Sequence, residues 1–74
     1  DERADDVRRI YSTTDASEAL LLMRKYGVEY VYVGRLESLY YPRAGLEKFD
    51  NALSEQLENV YQNEEVKVYR LREG

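Results

Sequence analysis

The stretch Tyr26-Gly27-Val28-Glu29-Tyr30-Val31-Tyr32-Val33-Gly34 constrains the fold more than any other part of the chain. A glycine directly after a helical pattern ends that helix, because it takes the left-handed conformation at no steric cost. Val28–Val33 is β-branched or aromatic apart from Glu29, which is the composition of a strand. With a single polar interruption, both faces of that strand are expected to be at least partly covered. Gly34 closes it, and Tyr40-Tyr41-Pro42 follows at once. Five of the eight tyrosines thus sit between residues 26 and 41, and the signal they give is architectural.

The flanking segments supply the partners such a strand needs. Residues 2–11 form a helix with Ala4, Val7, Ile10 and Tyr11 on one side, with Asp5 and Arg9 spaced to pair at i, i+4. Arg8 and Arg9 are expected to be neutralised by Asp5 and Asp6. Asp15 is a good N-cap for the next helix, and Glu18 stands where a capping box places its acid. Ala16, Ala19, Leu20, Met23 and Tyr26 share the core face of that helix, whereas Leu21 points away from it. After the strand, Arg35–Tyr41 forms a short helical turn that Pro42 closes. Ala44–Gln56 reads as a further helix with Leu46, Phe49, Ala52 and Leu53 as its stripe. Leu57–Gln62 and Val66–Arg72 read as two strands turning at Asn63-Glu64. The expected fold is a single α+β domain of order α-α-β-α-β-β. Its helices pack on a three-stranded mixed or antiparallel sheet that ends in a C-terminal β-hairpin, with the third strand preferred as the central one.

At 74 residues the chain holds one small core, and few apolar positions can be spared from it. It has no histidine, cysteine or tryptophan. That removes the usual base for a serine nucleophile and the usual zinc ligands. The four glycines are scattered, so no phosphate loop is present. No cofactor and no metal is therefore expected. The net charge of −4 argues against nucleic acid, which needs a basic face, and against anionic lipid. No apolar run approaches the ~20 residues of a spanning helix. The chain begins without methionine and reads as an excised piece of a longer protein.

Carboxylates are the only acid–base groups near the aromatic region. Glu29, Glu37 and Glu47 lie there, and their ordinary role is as solvated or ion-paired charges; Glu29 either sits at the exposed start of its strand or pairs with an arginine such as Arg70. Tyr26, Tyr30, Tyr32 and Tyr69 are placed by regular elements and are expected to pack. Tyr40 and Tyr41 lie in a loop between arginines, where function is more often carried. Arg35, Glu37, Tyr40, Tyr41 and Arg43 form the candidate contact surface, suited to a glycan or a protein. A dimerisation element using Leu21 and a sheet edge is a further possibility.

Arg9-Ile10-Tyr11-Ser12-Thr13-Thr14-Asp15 and Tyr26–Glu37, running on through Tyr40-Tyr41 to Gly45-Leu46-Glu47-Lys48-Phe49, together resemble a known pattern. Val60-Tyr61-Gln62-Asn63 and Val66-Lys67-Val68-Tyr69-Arg70 continue it. The pattern is that of the carboxy-terminal soluble segment of the YYY family of multispanning membrane proteins. Proline is common after the glycine in that family, where this chain has Arg35. The resemblance implies a parent in the cell membrane, organised like the lipid-linked sugar transferases of the GT-C class. It also implies that this segment is extracytoplasmic and rests on the membrane-embedded part of its own parent chain. Catalytic carboxylates of such parents lie far upstream, so no catalytic residue carries over. The expected function is that of a non-catalytic accessory domain.

Overall fold

The computed structural model describes residues 1–73. Helix α1 (Glu2–Ser12) and helix α2 (Ala16–Lys25) pack together and lead into strand β1 (Tyr30–Val33). Two short helices follow, α3 (Arg35–Tyr40) and α4 (Arg43–Glu47), and then strands β2 (Leu57–Gln62) and β3 (Lys67–Leu71). The sheet order is β1-β3-β2 and both pairings are antiparallel, so the last strand is central and the mixed alternative does not arise.

The ends of α2 follow from its sequence. The Asp15 carboxylate accepts from the Ser17 and Glu18 N–H groups, satisfying donors the first turn leaves free. Gly27 ends the helix at φ 62°, in open space, so its role is conformational. The capping box is only half formed. Glu18 turns away to accept from Arg9 Nε at 3.0 Å and from the buried Thr13 hydroxyl at 2.7 Å, and Thr13 itself accepts from the Asp15 N–H. Arg9 therefore ties α1 to α2 rather than pairing with Asp5, which takes Arg8. Asp6 goes to Lys25 and Tyr26 across the same helix pair.

Ile10, Ala19, Met23, Val31, Val33, Phe49, Leu53, Leu57 and Tyr69 make one continuous core. It lies on one side of the sheet only. Along β1, Val31 and Val33 are buried while Tyr30 and Tyr32 are more than half exposed. The second face of the strand is covered only in part, and of the four tyrosines expected to pack only Tyr69 is fully buried. Tyrosine tolerates the outward position because its ring is amphipathic.

The segment 44–56 is not one helix. Regular α4 ends at Glu47, and a chain of turns continues to Gln56 with bonds of mixed span, such as Phe49 N–H to Leu46 O and Leu53 N–H to Lys48 O. Asp50 and Asn51 favour such local alternatives over a helical ladder. Phe49 and Leu53 are still buried, while Ala52 faces out. The hairpin loop is also longer than two residues. The Asn63 side chain accepts from the Glu65 and Val66 N–H groups and its own N–H reaches Val66 O, closing a four-residue loop. Glu29 is exposed, and Arg70 pairs with Glu58 instead, at 2.7 Å.

No helix among the described residues is long and apolar enough to cross a membrane.

Candidate functional site

Helix α3 is held at both ends. The Gly34 N–H donates to Glu37 Oε1 at 2.7 Å, and the Ser38 hydroxyl donates to Gly34 O at 3.0 Å. At the far end Tyr41 turns extended and stacks on Tyr11, ring centroids 4.8 Å apart and 14° from parallel. Tyr11 in turn meets Phe49 edge-on, so the stack is rooted in the core. Burial pushes the Tyr11 hydroxyl up to about 12, and that hydroxyl donates to Tyr32 O at 2.7 Å.

This last bond has a topological meaning. Leu71 N–H donates to Glu29 O, so in the β1–β3 ladder Val31 and Val33 face their bonded partners, while Tyr30 and Tyr32 turn their backbone groups outward. Tyr11 therefore occupies an acceptor on the free edge of β1. On the other side of the sheet, a register shift between Asn59 and Tyr61 disturbs β2. Each edge thus carries one feature that disfavours strand addition.

With its ends fixed, α3 presents rather than buries its apolar stripe. Leu36, Leu39 and Tyr40 fall at i, i+3 and i+4 and are 75%, 79% and 71% exposed. Together with Glu37 and Tyr41 they line a shallow hollow of about 350 Å³. The sequence-predicted surface is therefore split. Tyr40 is freely offered and lies edge-to-face on Tyr41 at 5.0 Å. Tyr41 is half-buried against Tyr11, and Glu37 is committed to the helix start. Arg35 is exposed at the head of α3. Arg43 opens α4 and lines a different cleft, of about 400 Å³, with Val33, Asp50, Glu65 and Lys67. The two leucines escaped sequence reading because a six-residue helix is too short for periodicity to show which face is covered. Leu21, by contrast, is 69% exposed, as its place on α2 predicts.

The perturbed ionisable groups are all explained by packing. Asp50 accepts from the Tyr69 hydroxyl at 2.6 Å on one oxygen and from Lys67 at 2.8 Å on the other. Burial acts to raise that carboxyl, but the two hydrogen bonds outweigh it and hold the group low. Burial and the bond to Asp50 push the Tyr69 hydroxyl up. With both oxygens engaged, Asp50 is a poor base toward anything entering the cleft. Burial brings Lys48 down to about 8, with its ammonium held by two backbone carbonyls. Among the described residues no group of three acidic, histidine or cysteine side chains is placed to hold a metal, and no buried side-chain nitrogen or oxygen lacks a partner. The exposed stripe of α3 is suited to docking.

No family model matches the chain, and neither a curated protein nor a solved structure matches it. The resemblance to the YYY family thus rests on the quoted residues alone.

Proposed function

We propose that this chain is a non-catalytic accessory domain on the outer side of a multispanning, glycosyltransferase-like membrane protein, docked on the membrane-embedded part of its own parent chain. The observation that carries the reading is the exposed stripe Leu36–Leu39–Tyr40 on a helix fixed at both ends. Three large apolar side chains in a domain this small are costly to leave in water, and a preformed, rigid stripe suits a permanent neighbour. The absence of histidine and cysteine in the sequence and the full engagement of Asp50 support a supporting role over a chemical one.

Fractionation of cells that make the natural gene product tests this. An antibody to the domain should detect a chain much larger than 8.8 kDa in the membrane fraction, resistant to alkaline extraction. A free 8.8 kDa species in the supernatant would refute the reading.

A second reading is a small binding module for glycan or protein at the Tyr40–Tyr41 loop. The exposure of Tyr40 at the rim of the hollow favours it, while the commitment of Tyr41 to Tyr11 leaves it only one free ring. Resonance shifts confined to residues 35–43 on adding an oligosaccharide would support it.

A further inference from the structure

The face of the sheet opposite the core is uncovered, and its composition is unusual for a solvated surface. Across the three strands run two rows set by the pairing register. Tyr32, Val68 and Tyr61 form one; Tyr30, Arg70 and Glu58 form the other. Tyr30, Tyr32 and Tyr61 are 56%, 55% and 54% exposed.

Tyr32 is fixed in a particular way. Gly34 has φ −106°, a conformation open to any residue, so flexibility does not explain the glycine. Space does. A Cβ at Gly34 would fall 2.6 Å from Tyr32 Cε1 and 2.9 Å from its hydroxyl oxygen. The ring lies against the bare backbone of Gly34, which is itself buried, and still keeps half of its surface in solvent. A ring held at one edge by main chain, with half its surface in solvent, offers area for stacking.

We propose that this open sheet face is a binding platform for a neutral glycan, with the Tyr32 ring as its central stacking surface. The electronegative face of a tyrosine ring attracts the polarised C–H groups on the flat side of a sugar. By backbone spacing the Tyr30 position is about 7 Å from that of Tyr32 along the strand and the Tyr61 position about 10 Å across the sheet, so a glycan seated on Tyr32 can reach a second ring in either direction. The charge on the face is balanced: Arg70 and Glu58 pair at 2.7 Å and are both partly exposed. Such a pair neutralises itself yet keeps spare donors and lone pairs for sugar hydroxyls. Arg72 acts on Glu58 and Glu73 on Arg70, so both signs are mixed at this end of the face, which on a chain of net charge −4 gives a polyanion no basic patch to bind. Area argues against a protein occupant. The exposed parts of the three tyrosines amount to roughly 250–400 Å², well below the ~800 Å² per partner of a stable protein interface. This inference does not depend on the membrane parent.

Titration of the isotope-labelled 74-residue chain with cellohexaose, chitohexaose, maltohexaose and isomaltohexaose tests it, with oligogalacturonate as the charged comparison. At least one neutral hexasaccharide should shift the resonances of Tyr30, Tyr32, Tyr61 and Val68 and leave Tyr40 unmoved, while oligogalacturonate shifts none of them. Tyr32→Leu should weaken that binding about tenfold, and Tyr32→Phe, which keeps the ring, by no more than about threefold. Both variants retain the Tyr32 carbonyl that Tyr11 holds, so a folded spectrum is expected of each. Absence of shifts with all four neutral sugars up to about 10 mM overturns the proposal. So do shifts confined to residues 35–43, or shifts of the same tyrosines on simple dilution of the protein, which would assign the face to a second copy.

Discussion

Lys48 donates to the carbonyl of Tyr11 at 3.1 Å, so a buried ammonium group closes the C-terminal end of α1. That carbonyl is among those the last helical turn leaves unbonded, and a cation there also meets the negative end of the helix dipole. The same nitrogen reaches Gly45 O at 2.7 Å and lies 4.3 Å from the centre of the Phe49 ring. Lys48→Met should cost about 1–2 kcal/mol at neutral pH by leaving two carbonyls without a donor. The pH dependence distinguishes this from lost packing. The folded chain releases the Lys48 proton near 8 and the unfolded chain near 10.5, so the unfolded state holds more protons between those values. Stability from this group therefore rises with pH across that window. Urea denaturation at pH 8 and pH 10 should show the rise in the natural chain and a flatter response in the variant.

Gly45 lets α4 touch the end of α1. A Cβ there would sit 2.5 Å from Tyr11 O and 2.7 Å from Ser12 O, both main-chain atoms that cannot swing aside. Gly45→Ala is expected to destabilise by roughly 1–3 kcal/mol through overpacking, despite the better helix propensity of alanine. Equal or greater stability in a denaturant titration would contradict the close approach.

Tyr11→Phe keeps the stack on Tyr41 and removes only the bond to Tyr32 O. A loss of about 1 kcal/mol is expected. The hydroxyl ionises near 10 when unfolded and near 12 when folded, so its contribution is complete below pH 10 and disappears as pH rises to 12. Part of the alkaline loss of stability should therefore vanish in the variant. With the β1 edge unplugged, sedimentation at high concentration should also show more self-association than in the natural chain.

Acid acts through the pairs that hold α1 to α2. Hydrogen bonds from Arg9 and Thr13 hold the Glu18 carboxyl below its ordinary value, and those from Tyr26 and Lys25 do the same for Asp6. These contributions are present above the usual carboxylate range and are lost as pH falls through the lowered values. Glu18→Gln should flatten the acid limb of a stability–pH curve measured by circular dichroism. An unchanged acid limb would show that the Arg9–Glu18–Thr13 cluster is not coupled to folding.

Much of this fold is readable from local residues. Asp15, Gly27 and the stripe through Ala19 and Met23 mark α2, and Val28–Val33 marks a strand, because caps and periodicity are local physics. The orientation of Tyr30 and Tyr32 was hidden, since valine and tyrosine both score as apolar and alternation between them is invisible. The end of α4 was hidden for a related reason: Phe49 and Leu53 are buried whether the chain continues as a helix or as turns. Ion pairing is not legible at Arg9 and Arg70, because a long side chain has several acids in reach and only tertiary structure picks Glu18 and Glu58. Of the contact surface, Tyr40 is exposed on the last turn of α3 and not in the loop its neighbours suggest, and the anchoring of Tyr41 by Tyr11 depends on residues 30 positions apart.

The stripe on α3 is the feature on which the accessory-domain reading depends. A photoreactive side chain at Leu39 in the full natural gene product, with the same probe at the equally exposed Leu21 as comparison, tests it most directly. Replacement at either position should leave stability within about 0.5 kcal/mol, since both side chains face solvent. On irradiation, the Leu39 probe should yield an adduct with a membrane-spanning segment of the same chain, and the Leu21 probe should not. Labelling from Leu39 that is no greater than from Leu21, or an adduct with a separate soluble protein, would contradict the account.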